Sequence, residues 1–224
     1  MELNVLYIIK AVILGIVEGV TEFLPISSSG HLALLPQVTG TQDQGLAIDV
    51  AVHLGTLLAV IIYFWQDVQV AIIGVFRLAR GKIDTQGAFL ALCLIVGTVP
   101  VLLVGLIIKL TGLDELMRSV TVIGWTMLIF GLVLYWADRT GDTTKTSDRW
   151  TLKDAVIMGL AQCLALIPGT SRSGITITAA RKLGYERQGA AKLSMLMSIP
   201  VIIASGAIES IEIINSANWD LMRS

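Results

Sequence analysis

The chain reads as an all-α polytopic membrane protein built from an inverted repeat, in which two proline-broken, re-entrant helices sit among full transmembrane spans. Three observations predict this. The 224 residues are 54% hydrophobic and 15% charged, against roughly 25% charged in soluble domains. Apolar runs near 20 residues recur, the length that crosses a hydrocarbon core of about 30 Å. A pattern near the start also returns 144 positions later: Ala11, Val12, Ile13, Gly15, Ser27, Ser29 and Gly30 match Ala155, Val156, Ile157, Gly159, Ser171, Ser173 and Gly174. The chain is thus one integral membrane domain, 1–224, with repeat one at about 1–138, a linker at 139–154 and repeat two at about 155–224. Counterparts of the spans at 88–137 would fall near 232–281, so the second repeat is expected to lack its last spans.

The first residues, MELNVLYIIK, have no basic n-region and no small-residue cleavage site, so segment one is expected to stay in the mature protein. Residues 11–31, AVILGIVEGVTEFLPISSSGH, then carry Glu18 and Glu22 four residues apart on one helical face. Pro25 ends the helix. Ser27, Ser28, Ser29, Gly30 and His31 follow as a polar loop where a simple span would continue with Leu or Val. Glutamates on the wet face of a soluble helix are the ordinary alternative. In this composition ionisable groups inside apolar segments are costly and mark function.

Residues 32–45 are too mixed to span. The run 46–65 is long enough, with Asp49 and His53 near its start. His53 reads as a satisfied or interfacial residue, and Tyr63 and Trp65 as part of an aromatic belt. Residues 66–86 read as a polar connector holding Arg77, Arg80 and Lys82. Spans at 88–108 and 119–137 carry no charge, and Gly97, Pro100 and Gly105 in the first mark a bend or close helix contact. The polar stretch 138–154 divides the repeats. Cys93 and Cys163, 70 residues apart without a CxxC, read as packing residues.

The second copy, AVIMGLAQCLALIPGTSRSG, again runs an apolar helix into proline and a Ser-Gly loop, now with Arg172 inside and Gln162 at the Glu18 position. Charge placement orients both. If the second broken helix is re-entrant, eleven of the 16 Lys and Arg, in 66–86, 138–154 and 181–192, share the cytoplasmic side before the last run at 193–208. The first broken helix then begins and ends outside, and three full spans between the copies invert the second.

Two loops of small residues at helix ends form an anion cradle. Arg172 adds a planar fork suited to phosphate oxygens, the alternative being a structural ion pair with Glu22. Phosphate binding within a membrane implies a lipid phosphate or diphosphate. The net charge of −1 carries no sign of nucleic acid.

The motifs EGVTEFLPISSSGH and PGTSRSGIT, with their order and spacing, resemble the two signatures of the undecaprenyl-diphosphate phosphatase family, the bacitracin-resistance proteins. The resemblance implies hydrolysis of undecaprenyl diphosphate to the monophosphate and inorganic phosphate, recycling the lipid carrier for peptidoglycan in the bacterial inner membrane. It implies a site open to the periplasmic side, with bacitracin competing for the same lipid and a homodimer left open. The implied catalytic residues are Glu18, Glu22, Ser28, His31 and Arg172. The phosphate-binding residues are Ser27, Ser29, Gly30, Ser171, Arg172, Ser173, Gly174 and Thr176. A divalent cation, magnesium or calcium, is implied, with Glu18 and Glu22 as its ligands. Ser28 is the preferred nucleophile with His31 as base or acid; attack by His31 or by metal-activated water are the alternatives. A transporter or flippase of a polyprenyl phosphate is the rival function, since inverted repeats of broken helices suit alternating access.

Overall fold

The computed structural model describes residues 2–40, 45–113, 117 and 119–223. They form α1 (Glu2–Phe23), α2 (Ser28–Thr39), α3 (Leu46–Tyr63), α4 (Trp65–Leu78), α5 (Gln86–Thr111), α6 (Val120–Thr140), α7 (Leu152–Gln162), α8 (Arg172–Lys182) and α9 (Arg187–Arg223), with 3₁₀ turns at Ser147–Arg149 and Cys163–Leu166. The β-pairing among the described residues is one isolated bridge, Lys145 to Tyr185. Among the described residues three helices are long and apolar enough to cross a membrane, Gln86–Thr111, Val120–Thr140 and the Arg187–Ile211 part of α9, while the run expected to span at 46–65 passes only together with α4, as one bent pair. Leu103, Leu106 and Ile107 on α5 and Trp125, Leu128 and Leu132 on α6 point outward. That surface suits lipid and would be an aggregation liability in water.

Helix boundaries follow local chemistry. Thr85, Ser119 and Thr151 cap α5, α6 and α7 by accepting from the N–H three residues on, each cap worth about 1 kcal/mol. Pro100 and Pro200 lie inside α5 and α9; neighbouring helices in a bundle can support such interruptions.

Two expectations change. The stretch read as a polar connector is largely helix α4, bent 93° from α3 at Phe64. Its sequence WQDVQVAIIGVFRL puts Asp67 in the first turn and Arg77 in the last, where the helix dipole favours those signs. Arg77 then closes the following turn by donating from Nε and Nη2 to Asp84 at 2.7 and 2.5 Å. The Ser-rich loop is mostly the first turn of α2, with Ser27 as its N-cap.

The core lies where α5, α7, α8 and α9 meet, around Cys93, Met158, Ala180, Leu193 and Met197. Cys93 is buried, as its reading as a packing residue requires. Helices α5 and α7 cross at Gly97 and Gly159. A Cβ on Gly159 would lie 2.5 Å from the Gly97 carbonyl oxygen, so the crossing needs hydrogen at that position. This contact brings the second broken helix into the bundle.

Candidate active site

The two copies of the sequence pattern become two helix N-termini with the same cap. Ser27 Oγ accepts from Gly30 N at 3.3 Å, and Ser171 Oγ accepts from Gly174 N at 3.1 Å. The second serine of each S-x-S-G lies beside the first, Ser29 at 3.5 Å and Ser173 at 3.1 Å between hydroxyl oxygens. Capping ties up one orphan N–H at each end and leaves others of the first turn free for an anion. Ser27 takes φ +56°, a left-handed conformation unusual for a residue with a Cβ. It lets the chain reverse immediately after Pro25.

The two ends meet. Ser173 Oγ donates toward the carbonyls of Glu22 and Leu24 at 3.4 and 3.5 Å. A Cβ on Gly174 would sit 3.3 Å from the Pro25 carbonyl oxygen, so glycine permits the close approach. Gly169, at φ +89°, lies against Ile123 on α6, and Thr126 Oγ1 donates to the Pro168 carbonyl at 2.6 Å. The second loop is thereby fixed from α6.

Glu22 is the hub. Its Oε2 accepts from Ser28 Oγ at 2.7 Å, and its Oε1 from Arg172 Nη2. Arg172 Nη1 also donates to the Ser194 carbonyl at 3.2 Å, so the guanidinium is held by two elements. The ion pair weighed as the alternative role for Arg172 therefore exists, and it lies between the two helix N-termini. Ser28 gives its proton to Glu22 rather than to His31. His31 Nδ1 faces the Ser27 carbonyl at 2.8 Å. A carbonyl only accepts, so Nδ1 carries the proton and Nε2 is the nitrogen left for substrate.

Glu18 lies one turn earlier, wholly buried, with neither carboxylate oxygen making a hydrogen bond. His53 Nε2 on α3 stands 3.2 Å from its Oε1. Glu18, Glu22 and His53 each offer a ligand atom within 4.8 Å of the others. A buried carboxylate without a hydrogen bond, beside a second carboxylate and an imidazole that can pair with it, offers a donor set that fits a divalent cation.

Of the other residues singled out by sequence, Ser29 is exposed. The Thr176 hydroxyl is buried and committed to the Arg172 and Ser173 carbonyls and to Ser194 Oγ at 2.7 Å. Sequence reasoning missed two residues. Ser194 sits mid-helix in α9 without any motif. His53 had a signal, an ionisable pair with Asp49 at one end of an apolar run, but was read as interfacial.

A chain with membrane-length helices in which two broken helices bring a guanidinium, a serine hydroxyl and a carboxylate together between helix N-termini is, as a class, a polytopic helical membrane protein with a polar site built inside its bundle. Comparison makes the class specific. The chain belongs to the bacitracin resistance protein BacA family, whose description matches residues 11–223. It is 72% identical over 212 residues, 95% of this chain and 79% of the relative, to an undecaprenyl-diphosphatase of Roseobacter denitrificans. It is 63% identical over 212 residues, with the same two shares, to that of Dinoroseobacter shibae. To that of Saccharophagus degradans it is 50% identical over 211 residues, 94% of this chain and 79% of the relative.

Proposed function

We infer that this chain is a multi-pass membrane enzyme that hydrolyses undecaprenyl diphosphate to undecaprenyl phosphate and inorganic phosphate. The reaction recycles the lipid carrier of cell-wall synthesis and confers resistance to bacitracin. The observation that carries the chemistry is the convergence of Ser28 and Arg172 on Glu22 between two helix N-termini.

A phosphoanhydride already has a good leaving group, so positioning and charge neutralisation dominate the barrier. Arg172 and the free first-turn amides of α2 and α8 receive the diphosphate oxygens. Ser28 is placed to attack the terminal phosphorus while Glu22 Oε2, 2.7 Å away, takes its proton. The bond to the bridging oxygen breaks, undecaprenyl phosphate leaves, and a phosphoserine remains for water to hydrolyse. His31 Nε2, which holds a lone pair because Nδ1 bears the proton, then takes a proton from the water that hydrolyses the phosphoserine, and Glu22 returns its proton to the departing Ser28 oxygen; attack of Nε2 on phosphorus is the second scheme. A divalent cation, magnesium or calcium by the family's requirement, would be held by Glu18 and Glu22 and supply further charge neutralisation of the diphosphate. The site opens to the periplasmic side in this reading, where bacitracin competes for the same lipid.

Phosphate release from undecaprenyl diphosphate by the purified chain in detergent, with no second compartment present, tests the activity. Release is expected. Saturable lipid binding without release would favour a carrier of polyprenyl phosphate instead. Rapid quench with labelled substrate separates the schemes: acid-stable phosphoserine at 28 supports attack by Ser28, and acid-labile phosphohistidine supports attack by His31.

A further inference from the structure

We propose that His53 is a cation ligand through Nε2, and that this imidazole gives the Glu18 site a preference for a first-row transition cation over calcium. The inference rests on the divalent-cation reading above and goes on to the kind of cation. Its first observation is the tautomer. His53 Nδ1 lies 2.9 Å from the Asp49 carbonyl oxygen, which can only accept, so Nδ1 carries a proton. In the neutral ring Nε2 then presents a lone pair to Glu18 Oε1 at 3.2 Å. At that distance the two atoms share either a proton, as an imidazolium–carboxylate pair, or a cation, and nitrogen coupling to a bound cation tells them apart.

Burial is the second observation. Glu18 is fully buried and both its oxygens lack a hydrogen bond, whereas Glu22 has one oxygen taken by Arg172 and the other by Ser28. The unsatisfied donor capacity therefore concentrates on Glu18 and His53, with Glu22 adding a remaining lone pair, since an ionised carboxylate has about four. An imidazole whose Nδ1–H is held by a backbone carbonyl has the outer-shell arrangement common among metal-bound histidines. Calcium and magnesium prefer all-oxygen shells, while an imidazole nitrogen favours the transition cations.

The test uses the full chain in detergent, stripped with chelator and titrated with Mn²⁺ alone. Electron spin-echo modulation should show a directly bound ¹⁴N, and Co²⁺ should displace Mn²⁺ at lower concentration than Ca²⁺ does. His53→Gln should abolish the nitrogen coupling and weaken Mn²⁺ binding about tenfold or more, with Ca²⁺ affinity moving less. His53→Asp, which restores an oxygen donor, should keep cation binding, lack the ¹⁴N signal and turn the preference toward Ca²⁺; this variant guards against misfolding of the first. Bound Mn²⁺ without nitrogen coupling overturns the proposal, as does coupling that survives in His53→Gln or the absence of saturable Mn²⁺ binding. Phosphate release assayed on the same sample keeps the two readings apart. Release without nitrogen coupling sinks the ligand role alone, and coupling without release sinks the phosphatase reading alone.

Discussion

Glu22 accepts from Ser28 on one oxygen and from Arg172 on the other, so each donor's loss has a definite cost. Arg172→Lys keeps the charge but cannot hold Glu22 and the Ser194 carbonyl together and face phosphate with a planar fork. Its kcat/KM for phosphate release should fall by about 10²- to 10³-fold, the scale of losing one transition-state donor. Glu18 behaves differently, being buried and unbonded. Glu18→Gln removes a costly buried charge, so in chelator its thermal midpoint in detergent should rise above that of the parent even as activity drops. Saturating Mn²⁺ should erase that advantage by stabilising the parent alone. A variant less stable than the parent in chelator would mean Glu18 already has a compensating partner. Much at this scale was legible in the sequence. Glu22, Ser28 and Arg172 stood out because polar groups in apolar runs are rare, and the S-x-S-G repeat marked two matching loops, whose first serines the fold turns into helix caps. His53 and Ser194 did not, because their partners come from other helices and nothing local marks the meeting.

At the scale of elements, proline was the legible signal. Pro25 and Pro168 mark both breaks, and the spans near 88–108 and 119–137 fall within α5 and α6. The 93° bend after α3 has no Pro or Gly at Phe64 to announce it. Helix α4 was hidden because its charges lie at its ends and make the stretch look like a linker. Gly97 was read from sequence as a bend or a close helix contact, and that it is a contact, with Gly159 as its partner, emerges only from the crossing of α5 and α7. Gly159→Ala would set a methyl group 2.5 Å from a backbone oxygen. Backbone cannot yield as a side chain does, so the variant should lose about 1–3 kcal/mol, the usual cost of overpacking, seen as a lower unfolding midpoint in detergent. Alanine at Gly131, inside α6 where nothing lies within 4 Å, is the matched control and should hold or slightly raise the midpoint, since alanine favours helix over glycine.

Across the whole molecule, the basic segments gather at one end. Lys192 pairs with Asp67 at 2.8 Å, Lys145 with Asp154 at 3.4 Å, and Arg181 with Asp138 at 3.1 Å. These contacts draw together the starts of α4, α7 and α9 and the ends of α6 and α8. Tyr185 Oη donates to Asp154 at 2.7 Å, its phenol held protonated by burial and then by Asp154 itself. The outer ends of α7 and α8 therefore lie together, as a hairpin that enters and leaves by one side requires. Arg181, counted in the sequence among the basic residues of the cytoplasmic side, is buried at this junction and also donates to the carbonyls of Asp138, Gly141, Asp142 and Tyr185. Asp138 would keep Arg187, which donates to both its oxygens, but four carbonyls would lose their donor, so Arg181→Ala should lower stability by at least about 1–3 kcal/mol, the cost of leaving a buried acceptor unsatisfied.

The opposite end holds the start of α6, where Thr126 fixes the Pro168 loop, and the site lies between the two ends. If the basic end is cytoplasmic, as the positive-inside rule requires, the first hairpin approaches from outside and the substrate diphosphate is met there. Cysteine labelling of intact cells with a membrane-impermeant maleimide checks this. Gln37→Cys on α2 and Thr143→Cys in the linker are both at exposed positions. The parent supplies the blank, with Cys93 buried and Cys163 partly so. Position 37 should react and position 143 should react only after the membrane is permeabilised. The reverse pattern would place the basic end outside and turn the site toward the cytoplasm, and a carrier that releases phosphate inside the cell would then have to replace the periplasmic reading. Labelling of both positions in intact cells would mean that the hairpin ends do not share the sides their charges assign, and the opposed arrangement of the two broken helices would fall with it.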